Sequence, residues 1–414
     1  MHDPDRRLPD LSRSLTHLAI ALRDSGLPQK ALVPVREAVA LYRGLAEREP
    51  DRHTADLANS LSNLGQCLTN AGELTEGVDA VREAASLQGS IAQRDPGRYA
   101  ADHASYLLNL GGGLLTVGEP RQALGPLRMA VVLGRILAKH EPARFTPDLA
   151  RSLGNLGTAL REVGKPREGL IAVGQSVALF RGLAELEPDR YLPGLARSLL
   201  SQSEFLWVLD RPDEALGPVQ EAVTSFRQLA SREPARYLPE LAHSVLNLGV
   251  MLQANHKMVD APAGREAVNL FRLLVERVST QHAVGLADAL NNLGSDLLNV
   301  GHPREAHVAL QESVTLFRRL VEHEPAPYAA KFAQALGISD TACGQPTSSR
   351  KPWPRCATRS PGSDCSPGTN PAATPVIWSA GPQLQRDPAK GGYAAGGAAV
   401  RGGSCCPVAE SRAT

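Results

Sequence analysis

The sequence lacks the features that mark nucleic-acid-binding, membrane and secreted proteins. Its 414 residues carry a net charge of only +1, which gives no reason to expect nucleic acid as a partner. A membrane-spanning helix needs about 18 uninterrupted apolar residues, and no segment approaches this length. The N-terminal residues MHDPDRRLPD contain no apolar signal region, so a cytoplasmic location is expected.

The sequence also lacks the residue patterns that support catalysis or metal binding. Its six cysteines fit neither a disulfide framework nor the paired spacing of a zinc site. Its eleven histidines are scattered, and no His-x-x-x-His pair is supported by carboxylates. Gly111-Gly112-Gly113 lies inside a predicted helix and lacks the Gly-Lys-Ser/Thr of a phosphate-binding loop. We therefore predict a protein that is not an enzyme and that has no cofactor and no metal site.

Aromatic residues are few, at 4%, whereas Ala and Leu are abundant, as expected for packed helix pairs. Residues 145–190 show one such pair clearly. Thr146-Pro147-Asp148 predicts the start of a first helix, and Gly164 predicts its end. Pro166 begins the second helix, which Glu187-Pro188 ends. The apolar residues of the pair recur at helical spacing, and they are Leu149, Leu153, Leu156, Leu160, Leu170, Val173, Val177, Phe180 and Leu183.

This pair recurs along the chain with a period of 46 residues. The prolines that are predicted to end the second helices mark the period, and they are Pro4, Pro50, Pro96, Pro142, Pro188, Pro234 and Pro325. One residue is missing between Gly249 and Glu266, where Pro262 predicts a kinked or shortened helix. One position inside every first helix is small, which predicts close helix packing; it is occupied by Ala19, Gly65, Gly111, Gly157, Ser203, Gly249 and Gly294.

The repeated unit resembles the tetratricopeptide repeat. The resemblance rests on Leu156-Gly157, Leu160, Gly169, Val173 and Ser176, and on the small residues Ala31 and Ala38 of the first unit. The usual period is about 34 residues, so the extra residues are expected to lengthen the second helix and the connector. Leu290–Gly294 is similar to the long-repeat subtype of kinesin light chains and bacterial signalling proteins. The resemblance covers most of the chain and implies a right-handed superhelix.

The predicted fold is therefore all-α, a right-handed α-solenoid of about seven antiparallel helix pairs followed by a disordered tail. The array is predicted to span residues 1–344, with units at about 8–53, 54–99, 100–145, 146–191, 192–237, 238–282, 283–328 and a partial unit at 329–344.

Residues 345–414 have a different composition, with 9 Gly, 10 Pro and four of the six Cys. We expect this low-complexity tail to be disordered. If the codons of residues 350–378 are read in the frame that starts at the third base, they can encode another repeat unit. The proline of that hidden unit falls at the position of Pro371, 46 residues after Pro325. A frameshift, natural or from sequencing, would explain the tail; an authentic linker is the alternative. A frameshift would leave the array uncapped and open to self-association through its ends.

The resemblance implies that first helices line a concave groove, in which an extended peptide or partner protein binds. The position before the Leu-Gly pair reads Asn in five of seven units: Asn63, Asn109, Asn155, Asn247 and Asn292. Amide side chains can hold a peptide backbone through both donors and acceptors. Alternatively, each Asn binds the neighbouring unit and fixes the superhelical twist.

Further groove residues are predicted in the middle of the array. Leu200, Glu204 and Trp207 of the fifth unit, with Val250 of the sixth, could form a hot spot, or could pack in the core of a degenerate unit. Arg151 and Arg197 could pair with an acidic peptide, or be ordinary surface residues.

The predicted function is a non-catalytic scaffold that binds a protein or peptide, with neither nucleic acid nor membrane as a partner. The alternative is a regulatory fragment of a larger signalling enzyme, in which the repeats adjoin a nucleotide-switch or caspase-like protease domain. The abrupt start of the first unit at Asp3 would suit such a fragment.

Overall fold

The computed structural model describes residues 7–255 and 261–344, and these residues form α-helices and one 3₁₀ turn without a strand. The first helices of the pairs are α1 (Leu8–Asp24), α3 (Pro50–Ala71), α5 (Pro96–Thr116), α7 (Pro142–Glu162), α9 (Pro188–Val208), α11 (Pro234–Ala254), α13 (Ala283–Asn299) and α15 (Pro325–Gly344). The second helices are α2 (Pro28–Arg48), α4 (Leu74–Arg94), α6 (Pro120–His140), α8 (Pro166–Leu186), α10 (Pro212–Arg232), α12 (Pro262–Arg277) and α14 (Pro303–His323). The 3₁₀ turn at Thr280–His282 precedes α13. The predicted tail and its reading-frame hypothesis lie outside the described residues.

The prediction that Thr146-Pro147-Asp148 starts a first helix is wrong, whereas the second helices do end just before the prolines, as α8 does at Leu186 before Pro188. Helix α7 begins at Pro142, and Pro147 lies inside it. Proline suits the first helical position because the N–H that it lacks would have no intrahelical partner there. A single non-helical residue, such as Glu187 between α8 and α9, therefore connects consecutive pairs, except between α12 and α13, where residues 278–282 include the 3₁₀ turn.

The long period comes from long helices and not from a long connector. Both α7 and α8 contain 21 residues. Within the pair, Gly164 has a φ of +82°, a conformation that L-residues other than Gly seldom adopt. The backbone N–H of Lys165 donates to the carbonyl of Leu160 at 2.8 Å, which closes the end of α7. The shortened helix expected in the sixth pair is α12, with 16 residues.

The apolar core continues along the array without forming a single centre. One cluster runs from Ala19 to Ala84, the next from Val78 to Ala172, and a third from Ala150 to Ala309. Each helix packs mainly on its neighbours in sequence. Such stacking is typical of a solenoid, in which each unit buries its apolar face against the next.

At four of the small positions inside the first helices, Gly65, Gly111, Gly157 and Gly294, close contact requires glycine, in agreement with the predicted packing. A Cβ at Gly157 would lie 2.4 Å from Cγ2 of Val173 on α8. A Cβ at Gly111 would lie equally close, at 2.4 Å, to Leu127 on α6. A glycine in mid-helix lowers the stability of the helix by about 1 kcal/mol relative to alanine. At these positions it allows the two helices to approach each other more closely.

Candidate functional site

The first helices form one layer of the array, and they lie closer to one another than the second helices do. The backbone of α5 closely approaches that of α7, as α7 approaches α9 and α13 approaches α15. Within the described part of the chain, the backbones of consecutive second helices lie farther apart. Because elements on the inner side of a curved stack approach most closely, the first helices form its concave side. We call their accessible surface the first-helix face.

Four of the predicted groove residues are accessible on this face. Arg151 is exposed, and its Nη1 lies 3.0 Å from Oδ1 of Asp148 one turn earlier. Asn63, Asn109 and Asn155 are half-buried. Asn63 donates to the carbonyl of Asn59 at 3.0 Å and to its Oδ1 at 2.9 Å, both within α3. These residues leave polar groups at the surface of units two to four.

Arg197 occupies the position in α9 that Arg151 occupies in α7, but it is half-buried. Burial lowers the pKa of the Arg197 guanidinium, and the nearby Glu240 carboxylate partly opposes that shift. Burial likewise raises the pKa of Glu240 on α11. Arg197 therefore lies beside a neighbouring first helix as well as at the surface.

The structure buries the remaining predicted groove residues. Relative exposures are 1% for Leu200, 2% for Glu204, 0% for Asn247, 2% for Val250 and 6% for Asn292. Their burial contradicts the prediction that these residues face an open groove, and for Glu204 and Asn247 the covering contacts come from neighbouring first helices. Trp207 is half-buried and packs against the same apolar cluster as Leu200, in agreement with the core alternative.

Glu204 instead joins three first helices. Its Oε2 lies 2.8 Å from Nη1 of Arg161 on α7, and its Oε1 accepts a hydrogen bond of 3.4 Å from Nδ2 of Asn247 on α11. The Arg161 guanidinium also lies 5.5 Å above the ring of Phe205. For Asn247, the geometry favours the interpretation in which the amide binds the neighbouring unit. The Asn series is therefore accessible in units two to four and buried in units six and seven.

Sequence reasoning missed a second set of contacts between units, on the opposite side of the array. Arginine side chains on one second helix reach an acidic or amide group on the next, about 40 residues later. We call these pairs the outer ladder: Arg43–Glu83, Arg135–Gln175, Arg181–Glu221, Arg227–Glu266 and Arg272–Glu312, at 2.6–2.7 Å. The signal for these pairs is the spacing of about 40 residues between Arg and Glu or Gln, which recurs along the chain.

The array offers little for metal chemistry. Within the described ranges, no group of three or more His, Cys, Asp or Glu side chains could hold a metal ion. Burial lowers the pKa of His243 to about 3, so this imidazole is neutral at physiological pH.

One described helix, α8, is long and apolar enough to cross a membrane by length and composition alone. In the array it packs between α7 and α9, and its Val173, Val177 and Phe180 are buried. Core helices of stacked arrays have the same composition.

Residues 286–325, which form most of α13 and α14, match a family model described as a tetratricopeptide repeat. These two helices are a tetratricopeptide repeat. The matched pair is one of seven that share the same helix order, and the predicted resemblance is confirmed.

Several solved structures contain similar helix-pair arrays. BtubC (BKLC) from P. vanneervenii is 17% identical, with 71% of this chain and 99% of that chain covered and a TM-score of 0.45. Nearly identical TPR-like repeats designated a kinesin light chain in Podosopora anserina are 17% identical over 56% of this chain and 99% of that one, with a TM-score of 0.41. PilF from Pseudomonas aeruginosa is 17% identical over 65% and 92%, with a TM-score of 0.39. No curated protein matches the sequence.

Proposed function

We propose that this protein is a non-catalytic scaffold that binds a peptide or partner protein on the first-helix face of units two to four. The observation that supports this region is the accessibility of Asn63, Asn109, Asn155 and Arg151, whereas the equivalent amides of units six and seven, Asn247 and Asn292, are buried. A tetratricopeptide repeat implies protein–protein interaction, and the amides supply donors and acceptors for an extended backbone.

The charge of the face favours an acidic or carboxylate-terminated peptide. Arg151 is held only by an exposed pair with Asp148, and such pairs contribute between about 0 and 1 kcal/mol. A carboxylate of the partner can therefore replace Asp148 at little cost. A cytoplasmic location and self-association through the ends of the array belong to the proposal and stay predictions.

The experiment is a selection of peptides from a random displayed library on the purified full chain. Selected peptides are then measured by fluorescence anisotropy against the wild type and the variant Asn109→Ala, Arg151→Ala, Asn155→Ala. We expect binding to weaken by at least about tenfold, which corresponds to roughly 1.4 kcal/mol.

The matched control is Arg181→Ala, which removes an exposed arginine from the opposite side of the array. It should leave the affinity unchanged. If selected peptides bind the triple variant as tightly as the wild type, the first-helix face is not the binding surface.

A further inference from the structure

Helix α6 carries an exposed apolar strip that the other second helices lack. Met129, Val132 and Ile136 are 49%, 51% and 52% exposed, and their spacing places them on one side of the helix. Every described equivalent of Met129 is polar, and these are Glu37, Glu83, Gln175, Glu221, Glu266 and Glu312. The strip is therefore a property of the third unit and not of the repeat.

The outer ladder is interrupted at the same place. Between α4 and α6 the two ladder positions are occupied by Gly89 and Met129. Between α2 and α4, and between α6 and α8, the same positions hold an arginine and its acidic or amide partner. Both members of the pair are thus absent together. The seam between α4 and α6 is left without the side chains that bridge the other seams.

A third departure from the repeat lies directly beneath this seam. His103 on α5 occupies a position that is leucine in the first helices of the other six helix pairs, for example Leu57 and Leu149. A Cβ at Gly89 would lie 3.0 Å from Cε1 of His103, so an arginine in place of Gly89 would crowd this ring. Gly89, His103 and Met129 therefore depart from the repeat pattern together at one place in the array, next to the apolar strip.

The charged side chains of α6 itself are all basic, and one of them, Arg128, lies 4.0 Å from Glu168 on α8. Helix α6 contains Arg121, Arg128, Arg135 and Lys139 and no Asp or Glu. Arg121 and Lys139 are exposed, and no ion pair among the described residues involves them. An apolar strip flanked by such cations complements a surface that is apolar and acidic.

We propose that the α6 face, defined by Met129, Val132, Ile136, Arg121 and Lys139, is a second docking site, for an acidic amphipathic helix of a partner protein. Apolar side chains of that helix cover the strip, and its Asp and Glu side chains pair with the flanking cations. This site is independent of the first-helix face.

Two other occupants fit the charges poorly. A second copy of this chain that docked through the same face would bring two basic surfaces together. Residues 345–414 carry 8 basic and 3 acidic residues, so this segment would also meet charge of its own sign.

The test uses a synthetic fluorescent peptide of about five helical turns, with Leu along one side and Glu on the flanks. The decisive variant is Gly89→Arg, His103→Leu, Met129→Glu, which restores the pattern of the other units. We expect the peptide to bind the wild type, and to bind this variant about tenfold more weakly or worse. Binding to the wild type should also weaken as salt rises, because the flanking charges are exposed.

Two controls make the result specific. Ile171→Glu removes an exposed apolar residue, 66% accessible, from the outer side of α8 and should leave binding unchanged. A peptide with Lys in place of Glu should not bind. Circular dichroism spectra and melting temperatures establish that each variant is folded.

Several outcomes would overturn the proposal. They are equal affinity of wild type and restored variant, no binding of the Glu peptide, or preference for vesicles of phosphatidylcholine and phosphatidylserine over the peptide. Concentration-dependent dimers that the restored variant abolishes would assign the face to self-association instead.

Discussion

Arg161 of the fourth unit and Glu204 of the fifth form an ion pair of 2.8 Å that is almost completely removed from water. The Glu204 side chain is 2% exposed and the Arg161 side chain 16%. Because Asn247 adds a hydrogen bond from the sixth unit, this carboxylate links three consecutive first helices. Polar contacts between units therefore lie inside the first-helix layer as well as along the outer ladder.

Removal of this carboxylate should destabilise the array. Glu204→Ala removes the carboxylate that pairs with Arg161 and accepts a hydrogen bond from Asn247 in a buried site, and we expect a loss of about 3 kcal/mol in the free energy of unfolding. The control is Glu221→Ala, which breaks an exposed outer-ladder pair and should cost less than about 1 kcal/mol. Urea denaturation followed by circular dichroism measures both, and equal losses would contradict the structural role of Glu204.

The two ends of the Asn series should respond differently to truncation. Asn247 is 0% exposed, and Asn247→Ala should cost about 1–3 kcal/mol, since it leaves buried polar groups without their partner. Asn155 is half-buried, and Asn155→Ala should change stability by less than about 0.5 kcal/mol. Melting temperatures under identical conditions compare the two. A large loss at Asn155 would mean that it also is a structural residue.

Two helical glycines of the fourth unit should give opposite effects when alanine replaces them. Gly157→Ala introduces a Cβ 2.4 Å from Val173 and should destabilise the array by about 1–3 kcal/mol. An added Cβ at Gly182 would meet no atom within 4 Å, so Gly182→Ala should stabilise it by about 0.5–1 kcal/mol. Thermal unfolding decides between the signs, and destabilisation by both would refute the packing explanation.

Stability should depend on the protonation of Asp296 in α13. This carboxyl is 2% exposed, its Oδ1 has no hydrogen-bond partner among the described residues, and burial raises its pKa to about 8. The folded state therefore holds a proton that the unfolded state releases near pH 3.9, about the model-peptide value. The stabilisation is fully present below that pH and is lost as pH rises towards about 8.

Asp296→Asn removes this titration while keeping the size of the side chain. We expect the variant's melting temperature to fall less than that of the wild type between about pH 5 and 8, and the variant to be the more stable protein at the upper end. Asp10→Asn, at an exposed position of α1, is the control and should follow the wild-type profile. Parallel profiles for all three proteins would show that Asp296 does not titrate in this range.

Much of the fold follows from spacing along the chain. The apolar residues of α7 and α8, the glycine turn at Gly164 and the small residue at Gly157 all predict a packed helix pair. The helix starts were mispredicted because proline marks both the end of one helix and the first position of the next. Only one residue lies between α8 and α9, so Pro188 follows the end of α8 and is also the first residue of α9. The sequence pattern does not distinguish these two roles.

The candidate site was only partly predictable. Periodicity placed Asn109, Asn155, Asn247 and Glu204 on the same side of their helices, which is correct. It could not show that neighbouring first helices approach closely enough to cover Asn247 and Glu204, because burial there depends on contacts between units.

Helical periodicity and the 46-residue repeat are properties of the chain, and they suffice to predict an array of stacked helix pairs. Which polar side chains remain at the surface depends on contacts between units. Arg161, Glu204 and Asn247 lie 43 residues apart in sequence and meet through the stacking of units. The same stacking leaves the apolar strip of α6 at the surface. It lies beside the seam between α4 and α6, where Gly89 and Met129 interrupt the outer ladder.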